Sequence, residues 1–80
     1  MKKKKAKLTL SKVLYDWDTI IQNWRDSNGN VNVKVQTSGQ VLDGRYNKRL
    51  ELRKHVVSNV RSGNHVVIYK GKNTLTITKD

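Results

Sequence analysis

Two short runs rich in β-branched residues constrain the fold of this chain more than any other stretch. They lie within His65–Thr78, HVVIYKGKNTLTIT, and are joined by Lys70–Asn73. Because Val, Ile and Thr favour strands and Gly favours tight turns, the pattern predicts strands over residues 65–70 and 73–78. A two-stranded ribbon is marginal by itself in water, so the rest of the chain must supply further strands and an element that covers them.

A helix is predicted near the start of the chain. Ser11 is a favourable N-cap, and apolar residues then recur at the spacing of one helix face. They are Val13, Leu14, Trp17, Ile20, Ile21 and Trp24. The helix is expected to end in the turn at Ser27–Asn30, where Gly29 suits a left-handed backbone. The tryptophans share the spacing of the aliphatic residues, so we expect them in the core rather than stacked on bases.

Alternation of apolar and polar residues predicts two more strands in the middle of the chain. The segment VNVKVQT at 31–37 alternates strictly, which indicates a strand with one buried face. After a turn at 38–40, a second strand begins at Val41. The pair Asp43–Gly44 admits two interpretations, either another tight turn or a kink in a strand that continues through Tyr46.

The segment 47–61, NKRLELRKHVVSNVR, fits either strands or one irregular helix. We favour a strand, because adjacent valines and asparagine-rich flanks are poor helix formers. Residues 62–64 then form a turn. The predicted fold is mainly β with one N-terminal α-helix and a strongly bent five-stranded antiparallel sheet or small open barrel.

The length of 80 residues allows one domain, which we place at 8–80. Residues 1–7 are too basic to pack and are predicted to be a disordered arm. The chain contains no Cys, and it lacks an apolar run of membrane length. The basic start resembles that of a signal peptide, but no apolar core follows Lys7. We therefore predict a cytoplasmic protein without a membrane partner.

The charge of the chain points to a polyanionic partner. The formal net charge is +11, from 17 Lys and Arg against 6 Asp and Glu. The segment between Arg45 and Lys72 contains eight cations and one acid, Glu51. Cations clustered in this way favour phosphate contacts and the release of counterions. The alternative is a solvated surface that keeps the protein dispersed, and this alternative applies most directly to the N-terminal arm.

The spacing of the motifs resembles the Sm/LSm superfamily, the ring-forming RNA-binding proteins that include Hfq. The family has a short helix, then alternating strands with a Gly in the turn and a second Gly five residues later, as Val31–Val35, Gly39 and Gly44 provide here. Its first motif continues with an acidic residue, a base-stacking ring two places on and an Asn two further. Glu51–Val57 follows that rhythm, with Arg53 at the ring position and His55 at the Asn position.

The second Sm motif is an apolar strand that ends in a cation, followed by a short turn and another apolar strand. Val66–Ile77 matches it, with Lys70 in the cationic position. The resemblance implies a homo-oligomeric ring, with strands 65–70 and 73–78 pairing between subunits. It also implies that loops at 51–55 and 70–73 hold single-stranded U- or A-rich RNA, as in an RNA chaperone or scaffold.

The candidate RNA-binding residues form two groups. The first is Arg53, Lys54 and His55, where the guanidinium or imidazole can stack on a base and the cations attract phosphate. The second is Lys70, Gly71 and Lys72, where the missing side chain of Gly71 permits close approach. The competing interpretations are a solvated turn at Lys70 and a partly buried polar residue at His55.

Two other functions stay open at the level of sequence. A small DNA-binding regulator of a phage or mobile element would present Arg45, Lys48, Arg49 and Arg53 to a duplex. An RNA-cleaving toxin of the HicA type is suggested only by Gly63–His65 before a strand, and the predicted order of elements does not fit that fold. The spacing of the acids and histidines matches neither a catalytic pair nor a metal site, so we expect no enzyme and no cofactor.

Overall fold

The computed structural model describes residues 5–80, which form three helices and a five-stranded open sheet. The elements are β1 (Lys5–Thr9), α1 (Leu10–Tyr15), α2 (Trp17–Trp24), β2 (Val31–Gln36), β3 (Val41–Tyr46), α3 (Arg49–Arg61), β4 (His65–Lys70) and β5 (Asn73–Thr78). The predicted fold class, a mainly β chain built on a five-stranded sheet that is not closed, is confirmed.

The strands lie in the order β1-β5-β4-β2-β3. β2 is central and pairs antiparallel with both β3 and β4, so that Val33 lies opposite Gly44 on one side and Ile68 on the other. β4 and β5 form the predicted antiparallel pair. β1 pairs with β5 in parallel, with Lys5 opposite Thr74, so the prediction of a wholly antiparallel sheet is wrong at this edge.

All three helices cover one face of the sheet, and the other face is left without a covering element among residues 5–80. The inward residues of β2, β4 and β5 join apolar residues of the helices in one buried cluster. Its members are Leu10, Val13, Trp17, Ile20, Ile21, Val31, Val33, Val35, Leu52, Val56, Val60, Val66, Ile68, Leu75 and Ile77. Each fully buried aliphatic side chain contributes roughly 1.5–3 kcal/mol, so this cluster is what holds helices and sheet together.

The predicted N-terminal helix is present but divided at Asp16. The backbone of Asp16 (φ −101°, ψ 25°) separates α1 from α2. The helical cap is Thr9, whose Oγ1 accepts a hydrogen bond from the amide of Lys12 at 3.3 Å, so the prediction of Ser11 as N-cap is wrong. Ser11 instead donates its amide to a carboxylate oxygen of Asp80 at 2.9 Å.

The prediction of a strand within residues 47–61 is wrong, because this segment forms α3. Leu52, Val56 and Val60 recur every four residues, and all three are buried against the sheet. The β-branched residues lower helix propensity by a few tenths of a kcal/mol each, which is small beside the gain from burying them. The turn predicted after this segment is confirmed. Gly63 has a φ of +87°, and its amide donates to the carbonyl of Val60 at 3.0 Å in a C-terminal cap.

The predicted disordered arm overlaps the first strand. Residues 5–7 belong to β1, so the prediction of disorder over 1–7 is wrong for these residues, and positions 1–4 lie outside the described residues. Thr78 ties this edge strand down further, because its hydroxyl donates to the carbonyl of Leu8 at 3.4 Å. No helix within residues 5–80 is long and apolar enough to cross a bilayer.

Candidate nucleic-acid interface

Arg53 and Lys54 project from the side of α3 that faces away from the sheet. Both are exposed, and they border a groove between α1 and α3 of about 600 Å³. Its aliphatic lining consists of Leu14 and Val57, which are partly buried, and Leu50, which is exposed. The structure therefore brings together the two cations that were predicted to bind RNA, but it places them beside aliphatic side chains.

His55 lies on the opposite flank of α3. Its ring packs against Tyr46 of β3, with ring centroids 5.0 Å apart, and it is partly buried. The side-chain amide of Asn59 lies 3.4 Å from its Nδ1. Burial lowers the pKa of His55 from its ordinary value of 6.5, because desolvation disfavours the charged ring. These contacts make His55 a packing residue between α3 and the edge of the sheet.

Lys70, Gly71 and Lys72 lie at the turn between β4 and β5. Gly71 has a φ of +60°, which accounts for a glycine at this position. Lys70 borders a depression of about 250 Å³ together with Asn23, Trp24 and Asn73. This depression is separate from the groove at Arg53 and Lys54.

The base pocket predicted between His55 and Lys70 is not formed within the chain. Residues 51–55 are helical rather than a loop, because α3 connects β3 to β4 across one face of the sheet. His55 contacts β3, whereas Lys70 belongs to β4, and β2 lies between those two strands. The expectation that strands 65–70 and 73–78 pair between subunits is also wrong, since β4 and β5 already have a partner strand on each side.

A different surface, the open face of the sheet, has the character of a nucleic-acid site. The register aligns Tyr69 of β4 with Asn32 of β2 and Arg45 of β3. The Nζ of Lys34 lies 5.0 Å from the centroid of the Tyr69 ring. The hydroxyl of Tyr69 donates to an oxygen of Asp43 at 3.3 Å. Burial and, next, the negative charge of Asp43 raise the pKa of Tyr69 above its ordinary value of 10.0, so the phenol stays neutral near pH 7.

The same face extends over β5 and β1. Leu75 and Ile77 point inward, so the threonines that alternate with them point outward, and the parallel register sets Lys5 beside Thr74 and Lys7 beside Thr76. Together with the residues around Tyr69 they make a largely polar sheet surface, the open face, which also carries Val41 and Val67. Its charged members among the described residues are Lys5, Lys7, Lys34, Asp43 and Arg45. It offers one aromatic ring, several hydroxyls and amides, and an excess of cations.

Asn32 is oriented by a network at the end of α2. Its side-chain amide donates to Asp26 at 3.3 Å, and the other oxygen of Asp26 accepts from the amides of Asn28 and Asn30 at 2.8 and 3.0 Å. These hydrogen bonds hold the pKa of Asp26 below its ordinary value of 3.8, the bond from Asn30 being the largest cause. A charged, fixed Asp26 therefore positions a side chain of the open face.

The open face was not predicted from the sequence, although the sequence pattern indicated part of it. The alternation in 31–37 already placed Asn32 and Lys34 on the polar side of their strand. What was lacking was the register, which brings Tyr69 and Arg45 next to them. Within residues 5–80, no group of three or more His, Cys, Asp or Glu side chains is arranged to hold a metal ion.

Comparison with known proteins gives no relative. No family model, no curated protein and no solved structure matches the chain.

Proposed function

We propose that this protein binds single-stranded RNA on the open face of its sheet, as an RNA chaperone or scaffold in the cytoplasm rather than as an enzyme. The observation that supports this most is the arrangement around Tyr69. An aromatic ring lies on a polar sheet with the cation of Lys34 5.0 Å from its centroid and with Asn32 and Arg45 in register beside it. Single-strand-binding proteins combine these parts, an aromatic platform for a base and cations for the backbone.

A single strand suits this surface better than a duplex does. Bases within a duplex are stacked on one another, so the face of an aromatic ring reaches only an unpaired base. A base that stacks on Tyr69 takes the place of the Lys34 ammonium, which is then free to contact the neighbouring phosphate. The outward threonines and Asn32 supply hydrogen-bonding groups for 2′-hydroxyls, which favours RNA over DNA. A preference for U- or A-rich RNA is carried over from the Sm/LSm resemblance.

A homo-oligomeric ring is part of the proposal, in a form that differs from the one first expected. The open sheet is compatible with a Sm-like protein, and its free edges are β1 and β3. The strand directions make β1 and β3 antiparallel, so the β3 edge of one copy is able to continue into the β1 edge of the next. Val41 and Leu42 on β3 are 58% and 46% exposed, and pairing would cover them.

The test is a comparison of ligands at equal salt. Fluorescence anisotropy should show tighter binding to U-rich or A-rich RNA of about 12 nucleotides, a length within the usual range for one small domain, than to duplex DNA. Because stacking on one ring contributes about 1–3 kcal/mol, Tyr69→Leu should weaken RNA binding roughly 5- to 150-fold. Lys34→Gln should weaken it as well, and by more than the matched charge control Lys48→Gln.

Three results would overturn the proposal. Tighter binding of duplex DNA, lost on changing cations of α3, would favour the DNA-binding regulator. If Lys34→Gln and Lys48→Gln weaken RNA binding equally and Tyr69→Leu leaves it unchanged, RNA binding depends on net charge alone. If RNA is instead cleaved, and His65→Ala abolishes the cleavage, the protein is a nuclease.

A further inference from the structure

Three aliphatic side chains line the groove between α1 and α3, and Leu14 and Val57 among them are partly buried against the core. Leu50 is 75% exposed, and it lines the groove with Leu14 of α1 and Val57 of α3. Leu50 and Val57 are seven residues apart in one helix, so they lie on the same side about 10.5 Å apart along its axis. Leu52 and Val56 already bury the opposite side of α3 against the sheet. Lys54 and Arg61 share this side of α3, so the strip that faces solvent combines the exposed Leu50 with cations.

The rim of this groove is cationic. Arg53, Lys54 and Arg61 border it, and Ser58 is the remaining polar side chain on α3 there. The ion pairs formed within residues 5–80 are Lys12–Asp16 at 3.2 Å and Arg49–Asp18 at 3.1 Å. Asp16 and Asp18, which lie near Arg53, therefore already pair with other cations, and the three rim cations form no ion pair in the described part of the chain.

We propose that this groove binds an acidic, amphipathic helical segment of a partner protein. Apolar side chains one and two turns apart on such a helix match the spacing of Leu50 and Val57, and flanking Asp or Glu side chains match the three rim cations. The rim cations favour an acidic partner. The aliphatic lining of the groove favours a protein segment over a nucleic acid as that partner. A phosphate backbone would contact the cations and leave the exposed Leu50 in water.

This inference goes beyond RNA binding and is independent of it, because the groove lies on the helical layer and the open face lies on the other side of the sheet. The protein then has two surfaces that work separately. An RNA on one side and an acidic protein on the other would make the chain an adaptor between them.

The probe is a labelled helical peptide of about 15 residues, enough for four turns, with Leu on one face and Glu elsewhere. A scrambled peptide of identical composition keeps the charge and loses the apolar face. We expect the amphipathic peptide to bind at least about tenfold more tightly than the scrambled one, with amide shift changes in 15N-labelled protein confined to α1 and α3. Leu50→Ser and Arg53→Gln should each weaken binding by about tenfold. Because Leu50 is exposed, the variant keeps its fold, which thermal unfolding verifies.

The controls separate the two surfaces. Tyr69→Leu and Lys34→Gln should leave peptide binding unchanged, and Leu50→Ser should leave RNA binding unchanged. The proposal is overturned if the scrambled peptide binds as tightly as the amphipathic one, or if the amide shift changes map to the open face. It is also overturned if neither peptide binds at about 1 mM, a concentration at which even weak complexes form. It is also overturned if Leu50→Ser abolishes binding to RNA or to vesicles of anionic lipid, since the groove would then be a nucleic-acid or membrane surface.

Discussion

The ring of His55 packs on the ring of Tyr46, with centroids 5.0 Å apart and an angle of 30° between the planes. This contact joins the middle of α3 to the last residue of the edge strand β3. It also fixes Tyr46 above Gly44, where an added Cβ would lie 2.9 Å from Cε2 of the Tyr46 ring. The edge of the sheet and the helix that covers it are thus connected through one pair of rings.

The stability of the fold should fall as the pH drops below about 6.5, in part through His55. Burial lowers the pKa of His55 in the folded state, so between that lowered value and the ordinary 6.5 the unfolded chain binds more protons. Stability is therefore fully present above 6.5 and is lost as the pH falls through this window. Urea unfolding at a series of pH values should show that the free energy of unfolding decreases with falling pH, and His55→Gln should make this dependence weaker. An identical slope in the variant would contradict this assignment.

Gly44→Ala should destabilise the protein by about 1–3 kcal/mol, the usual cost of overpacking. The new methyl group would meet the Tyr46 ring, which cannot move freely because His55 packs on it. Gly39→Ala is the matched control, since a Cβ there meets nothing within 4 Å and no left-handed backbone is involved. Thermal unfolding compares the two variants. Adding Tyr46→Ala should remove most of the penalty of Gly44→Ala, and full additivity would show that the clash is not its cause.

Leu52→Ala should cost about 2–4 kcal/mol, whereas Leu50→Ala should change stability by less than about 0.5 kcal/mol. Leu52 is 1% exposed and Leu50 is 75% exposed, because residues two apart point to different sides of a helix. In a strand the two side chains would share one face and both would be buried. Equal losses on urea unfolding would therefore support a strand over this segment in place of α3.

Asp26→Ala should loosen the turn before β2 and weaken RNA binding through Asn32. The carboxylate accepts bonds from Asn28, Asn30 and Asn32, and its pKa is lowered from 3.8. The stability that it contributes is present above that ordinary value and is lost as the pH falls through the lowered one. Amide exchange at residues 28–32 should speed up in the variant at pH 7. The control Asp80→Ala, at the far end of the chain, should leave those amides unchanged.

Light scattering should give a solution mass that is a multiple of 9.2 kDa if the chain forms a ring through its sheet edges. Val41→Lys places a charge on the exposed β3 edge, and edge charges oppose strand pairing, so this variant should shift to the mass of one chain. A single-chain mass for the unmodified protein would contradict the ring. Such a mass would leave the open face and the groove as binding surfaces of a monomer.

Much of the secondary structure is predictable because its pattern is local. The strict alternation in 31–37, the β-branched runs at 65–70 and 73–78 and the apolar stripe of the first helix all lie at the predicted places, with a break at Asp16. The strand from Val41 continues through Gly44 to Tyr46, so the second of the two interpretations was correct. Trp17 is buried and Trp24 packs on the core, as expected for tryptophans at helical spacing.

The wrong predictions for α3 and β1 share one cause, because tertiary packing outweighs the local preference of the residues. Val56 and Val57 favour a strand weakly, but α3 buries Leu52, Val56 and Val60 together on the sheet. Lys5 and Lys7 favour disorder by their charge, yet the alternating Ala6 and Leu8 pack on the core once β1 has β5 to pair with. In each case the deciding partner is distant in sequence.

The sequence by itself determined that the chain is a basic, sheet-forming domain, since charge and side-chain period do not depend on distant contacts. Only the tertiary structure decided which residues meet. Strand order and register are fixed by pairing across many residues, as with Lys5 and Thr74, and these pairings align Tyr69 with Asn32 and Arg45. They also place α3 over one face, which separates His55 from Lys70 and leaves the other face of the sheet open.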